Sequence, residues 1–307
     1  MNSKFSGHIA CFLAYAIFGV NIVTCKDLTA SGIIPPIELF CFRAVGACLL
    51  FWLISFFIPK EKVEKRDFPK IFIASALGYF GTQLTFLLAI SDITPMDCSI
   101  VSAISPILTM IIASIALKEP ITLKKASGVA LSFCGVVFLI LNSVSAHAGS
   151  VETRPRGVLL IVANCLCFAL YLGIFKPLIE KYSVVTFMKW IFLFALVMAI
   201  PFAAPGIMKI NYSALTPKLL SELMFLVIFA TFIAYFLIPI GQKRIRPTLV
   251  SMYSYMQPII ATALSIWAGM DTLTWQKVVA AVTVFTGVAI VNRSKAKIHY
   301  NSIVKQL

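Results

Sequence analysis

Residues 95–106 read PMDCSIVSAISP and residues 247–258 read PTLVSMYSYMQP. At a shift of 152 residues, the distance from Pro95 to Pro247, Ser99, Ser102 and Pro106 meet Ser251, Ser254 and Pro258. Downstream, Ala116, Thr122, Lys125 and Gly135 meet Ala268, Thr274, Lys277 and Gly287, and Glu119 meets Asp271. With a small gap the match reaches the start of the chain, where Gly7, Phe18 and Lys26 align with Gly157, Phe168 and Lys176. Self-similarity at a fixed period is the signature of an internal repeat.

Apolar runs surround these stretches, near residues 6–25, 34–58, 68–91, 96–117 and 123–142, and again near 157–179, 184–205, 219–240, 247–269 and 275–292. Each has the roughly 20 apolar residues that cross a bilayer core about 30 Å thick. The expected fold is an all-α integral membrane protein of ten transmembrane helices. Residues 1–142 form the first five-helix repeat, 143–156 a linker, 157–292 the second repeat and 293–307 a basic tail. Five is odd, so the second copy enters the membrane upside down relative to the first. Inverted repeats around a central cavity are a recurrent device of secondary transporters.

Composition agrees with this reading: 60% of residues are hydrophobic and 12% charged, against about 25% charged in soluble proteins. The net charge of +14 does not describe a nucleic-acid surface. Its basic residues sit in short loops, with Lys60, Lys62, Lys65, Arg66 and Lys70, then Lys118, Lys124 and Lys125, then Lys243, Arg244 and Arg246, then Arg293, Lys295 and Lys297 on one side. The positive-inside bias places both termini in the cytoplasm. The eight cysteines lie almost all in apolar runs. Cys165 and Cys167 point about 200° apart on a helix, which argues against a shared metal. No cofactor is implied. Nor is an enzyme, because no nucleophile stands beside a base and there is no glycine-rich phosphate loop.

The segment Phe18-Gly19-Val20-Asn21 followed by Lys26, Pro35-Pro36 with Phe42-Arg43, and Pro106 with Lys118-Glu119-Pro120 together resemble the EamA family of the drug/metabolite transporter superfamily. The resemblance implies ten helices around a central cavity and alternating-access movement of a metabolite, often outward, across a bacterial cytoplasmic membrane. The second half departs from it: Lys189 stands near the place of Arg43, and Met270-Asp271-Thr272 replaces Lys118-Glu119-Pro120.

Pro106 and Pro258 each remove a backbone hydrogen bond in mid-membrane and free a carbonyl, which is tolerated facing protein or a wet cavity. Ser99, Ser102, Pro106 and Thr109 share one helix face, as do Ser251, Ser254, Pro258 and Ser265. These faces either line a pathway or let helices pack closely. Tyr253, Tyr255 and Gln257 are too large for close packing, and their polar tips need partners. Arg43, near the bilayer middle, either holds an anionic part of a solute or pairs with Glu38, the candidate coupling acid. Asn21, Gln83, Tyr171 and Tyr235 are further candidate pathway residues. Lys176 and Lys189 are expected to snorkel toward headgroups. Gly128, Ser132 and Gly135, with Ala280 and Gly287, read as helix-packing stripes, within the chain or between protomers of a homodimer. The partners expected are the lipid bilayer and a small solute with an amino-acid-like headgroup. A lipid flippase or a channel is the rival reading.

Overall fold

The computed structural model describes residues 3–116, 123–145, 153–245, 247–270 and 272–293. The Lys118-Glu119-Pro120 motif, residues 146–152 of the expected linker and residues 294–307 of the tail lie outside them. The described residues form α1 (Ser3–Ala30), α2 (Pro36–Ser55), α3 (Lys65–Ile90), α4 (Pro95–Ser102 and Ser105–Ala116) and α5 (Leu123–Ser145). The second half forms α6 (Pro155–Ile174), α7 (Val184–Ile207), α8 (Pro217–Arg244), α9 (Pro247–Met252, Tyr253–Tyr255 and Met256–Trp267) and α10 (Trp275–Arg293). Helices α1–α4 and α6–α8 are individually long and apolar enough to cross a membrane, with mean hydropathy reaching 2.6 in α8. Large apolar side chains such as Leu49, Leu159, Phe202 and Ile259 stand exposed on the outer surface. That surface suits lipid, and helices are one of the two structures that satisfy every backbone group within it.

Local chemistry sets the helix ends. Pro36, Pro95, Pro155 and Pro217 stand in the first turns of α2, α4, α6 and α8, where a missing N–H costs nothing. The hydroxyls of Thr94, Ser183 and Thr216 accept backbone N–H groups of Asp97, Thr186 and Leu219 at 3.2, 3.2 and 3.3 Å. Gly32 and Gly269, at φ +69° and +66°, take the left-handed turn just after α1 and α9. The apolar run expected to reach residue 179 is interrupted instead. Helix α6 stops at Ile174 and a short helix, Lys176–Lys181, restarts with Pro177 in its first turn.

The 152-residue register continues into helices whose sequences no longer show it. Helix α3 switches to π winding over Ala76–Gly81, and α8 does so over Ile228–Ile233, 152 positions on. Equivalent residues also touch: Gln83 Nε2 donates to Tyr235 OH at 2.7 Å, and Ser132 Oγ to the Val284 carbonyl at 3.0 Å, each pair 152 apart. These contacts lie on the axis relating the halves. Helix α1 packs on α8 and α9, α2 on α7, and α5 on α10.

Lys26 and Lys176 occupy equivalent places at opposite ends of the bundle. Lys26 Nζ donates to the carbonyl of Ile90 at 2.7 Å, and Lys176 Nζ to those of Gln242 at 2.6 Å and Ile245 at 3.3 Å. Each cation satisfies orphan carbonyls at the negative end of a helix, α3 in one case and α8 in the other. Lys176 is therefore a cap rather than a snorkelling side chain, and Lys189 lies 5.1 Å over the Trp52 ring. Lys26→Met or Lys176→Met is expected to cost about 0.3–1 kcal/mol at the exposed limit and up to about 2 where partly buried. Thermal unfolding in detergent checks this, and an unchanged melting temperature in both would remove the capping role.

At the end carrying Ser3 and Arg293, Asp67 Oδ2 accepts from Lys181 Nζ at 2.6 Å and from Tyr182 OH at 2.7 Å, joining the two halves. Hydrogen bonding to Asp67 and Glu64 holds the Lys181 ammonium above its ordinary pKa range. At the far end Lys218 Nζ meets Asp27 Oδ2 at 2.5 Å. The glycine and serine stripes of α5 and α10 face each other, with a Cβ at Gly135 falling 3.1 Å from Val284 N and 3.2 Å from the Ala280 carbonyl. They pack on each other within one chain.

Candidate functional site

Helices α4 and α9 run past each other so that the first part of each packs on the second part of the other. Both are broken where they cross. Pro106 lacks an N–H and crowds the carbonyl four residues back, that of Ser102, so α4 interrupts at Ala103–Ile104. The freed Ser102 carbonyl lies 3.9 Å from Cys165 Sγ. In α9, Pro258 acts on Ser254 in the same way, and Tyr253–Tyr255 tighten to a 3₁₀ turn.

A cavity of about 80 Å³ opens at this crossing, walled also by α1, α3, α6 and α8. At 10–15 Å³ per water it has room for roughly six waters, less than a metabolite needs without movement of the walls. Four amides line it, Asn21, Gln83, Asn164 and Gln257, with the hydroxyls of Ser102, Ser105 and Ser254. Tyr15, Tyr235, Phe18, Phe86 and Phe168 supply aromatic surface. No lining residue carries a formal charge.

Some of these groups are satisfied within the protein. Asn164 Nδ2 donates to the Thr82 carbonyl at 2.6 Å, Ser102 Oγ to the Cys98 carbonyl at 2.7 Å, and Cys25 Sγ to Asn21 Oδ1 at 3.6 Å. Three lining atoms, Tyr15 OH, Gln83 Oε1 and Ser254 Oγ, are buried with no hydrogen-bond partner. Buried polar groups are ordinarily paired, so these three define unmet capacity to hold a guest or water.

Of the residues singled out from sequence, Asn21, Gln83, Ser102, Tyr235, Ser254 and Gln257 lie together on this cavity. The others stand elsewhere. Ser99 Oγ donates to Met96 O at 2.7 Å within α4, and Ser251 is fully buried. Pro106 follows lining Ser105, while Pro258 faces an apolar groove of about 780 Å³ on the outer side of α4, α9 and α10. Tyr171 packs its ring against Gly78 in the π segment of α3. Tyr253 OH meets His8 Nδ1 at 2.7 Å, and the Tyr255 ring stands edge-on to Phe285 at 5.9 Å. Arg43 Nε donates to Thr231 Oγ1 at 2.8 Å, one side-chain layer behind the cavity. Glu38 points at Gly206 of α7, so the alternative of an Arg43–Glu38 pair is not realised.

Sequence reasoning passed over Tyr15, Asn164 and Ser105. Asn164 had a signal, an amide in mid-run. Ser105 had another, since it is the repeat equivalent of Gln257.

The sequence profile of the EamA-like transporter family matches residues 5–141 and again 155–293. The chain belongs to the EamA-like transporter family. Among EamA-like relatives, a protein of Archaeoglobus fulgidus described as an uncharacterized transporter is 26% identical over 265 residues, covering 85% of this chain and 90% of its own. The uncharacterized transporter YetK of Bacillus subtilis is 24% identical, over 86% of this chain and 80% of its own. A crystal structure with 17% identity has the same fold, at a TM-score of 0.64 over 94% of this chain and 97% of that one. The EamA-like motif residues of the first half map onto the site. Phe18 and Asn21 line the cavity, and Lys26 caps α3. Gly19 lets α1 approach α9, since a Cβ there would lie 2.9 Å from Ile260 Cβ.

Proposed function

We propose that this membrane transporter is a secondary carrier that moves a small organic solute, amino-acid-like or of similar size, outward across the cytoplasmic membrane by alternating access. The observation that carries the reading is the uncharged cavity at the crossing of the broken α4 and α9, with three buried polar atoms unpartnered. Discontinuous helices meeting between inverted repeats are where secondary carriers hold their substrates. Aromatic walls with a few polar groups match the usual chemistry of small-molecule sites. The basic loops support an orientation with both termini in the cytoplasm. In that orientation Glu38, 8% exposed near the far end, is the acid we assign to proton coupling.

The test is flux of a pooled metabolite mixture, amino acids included, into and out of liposomes holding the purified chain, with and without an imposed proton gradient. The expected result is saturable movement of one solute class. Lipid scrambling without solute flux would replace the carrier reading with a flippase, and unsaturable flux would replace it with a channel.

A further inference from the structure

Arg43 has no solvent exposure, and it heads the fully buried side chains by size. It stands roughly 10 Å along α2 from its start. A guanidinium stays charged and carries five N–H donors. Here Nε is satisfied by Thr231, whose own hydroxyl donates to the Leu226 carbonyl at 2.7 Å. One terminal nitrogen has only Cys25 Sγ at 3.5 Å, a weak acceptor. The other is buried with no partner. Among the described residues no carboxylate forms an ion pair with Arg43. Burying an uncompensated charge is among the most expensive arrangements in a protein, and such charges are paired or serve a ligand.

The neighbouring side chains carry further unmet hydrogen-bonding capacity. Tyr79 is fully buried, its ring 5.6 Å from that of Phe40, one turn before Arg43 on α2, and its hydroxyl makes no hydrogen bond of ordinary geometry. Tyr79 and Thr231 are repeat equivalents, 152 apart, each in the π-wound segment of its helix. Such π turns occur often at functional sites. The Tyr79 ring lies 5.1 Å from that of Tyr235, and Cys25 bonds Asn21; both Tyr235 and Asn21 line the cavity. One layer of side chains therefore separates the guanidinium from the solute space.

We propose that Arg43 and Tyr79, with Thr231 orienting the guanidinium, form a binding site for a single monovalent anion, a carboxylate or a halide, adjoining the cavity. A lone cation with one hydroxyl donor balances one negative charge and leaves a doubly charged phosphate in excess. The anion is either the carboxylate of the transported solute or a free chloride carried beside it. Only this last choice rests on the carrier reading.

The experiment titrates chloride, and separately acetate, into the purified full chain kept at constant ionic strength with a bulky sulfonate. Thermal unfolding is followed. The wild type is expected to show a saturable rise in melting temperature that is absent in Arg43→Met and reduced in Arg43→Lys. No saturable rise in the wild type overturns the proposal, and that holds even if Arg43→Met does not fold. An equal rise in Arg43→Met overturns it too. In liposomes, flux lost when chloride is replaced by sulfonate identifies a free anion. Flux indifferent to chloride but abolished for the amide of the same solute identifies the solute carboxylate. Anion stabilisation with no flux of any solute would sink the carrier reading and leave the anion site standing.

Discussion

Gly287→Val is expected to lower the melting temperature of the detergent-solubilised chain further than any substitution in the cavity. A Cβ at Gly287 would fall 2.5 Å from the Gly128 carbonyl oxygen and 2.6 Å from Ser132 N. Both are backbone atoms of α5, so no rotamer change relieves the clash. The helices must separate, and the Ser132 to Val284 hydrogen bond on the axis is lost with them. Overpacking costs about 1–3 kcal/mol and more when backbone has to move. In a membrane the loss of close helix approach is felt directly, because packing rather than water exclusion holds helices together. A variant melting with the wild type would mean that α5 and α10 are not in this register.

Ser254→Leu should abolish most transport while leaving the fold intact. Ser254 is 2% exposed, lines the cavity, and its hydroxyl has no partner to lose. Leucine puts three carbon groups into a space of about 80 Å³. A single methylene in a binding pocket is worth about 1–3 kcal/mol, or 10–200-fold, so a flux reduction of at least about tenfold is expected. Ser254→Ala separates bulk from chemistry. Its stability should match the wild type, and a loss of flux in it would come from the missing hydroxyl. Full flux through Ser254→Leu would place the solute path elsewhere.

The helices were legible because lipid demands long apolar runs, and each expected span falls on helix, although the run at 157–179 stops at Ile174 and those of α4 and α9 are broken midway. Helix inversion was legible from an odd number of spans per repeat. The symmetry of α3 and α8 was not: residues 76–81 read ALGYFG and 228–233 read IFATFI, with only Phe80 and Phe232 in common. Backbone winding depends on packing against neighbours, and different side chains reach the same π turn. The site was half legible for a related reason. Serine spacing placed Ser102 and Ser254 on inward faces, yet the same spacing covered Ser99, whose hydroxyl is satisfied inside its own helix. Arg43 was conspicuous as a charge in an apolar run, but its lack of an acid partner is a property of three dimensions.

The contacts between equivalent residues bear on the energetics of the transport cycle. A carrier made of two identical antiparallel units would be equally stable open to either side, because turning it over exchanges the two states. Here glutamine meets tyrosine across the axis at positions 83 and 235, and serine meets valine at 132 and 284. Two copies of one unit could set only like against like at such a point. On the carrier reading proposed above, each unlike pair lifts the degeneracy and gives the fused chain its own resting preference, which a solute gradient then works against or with.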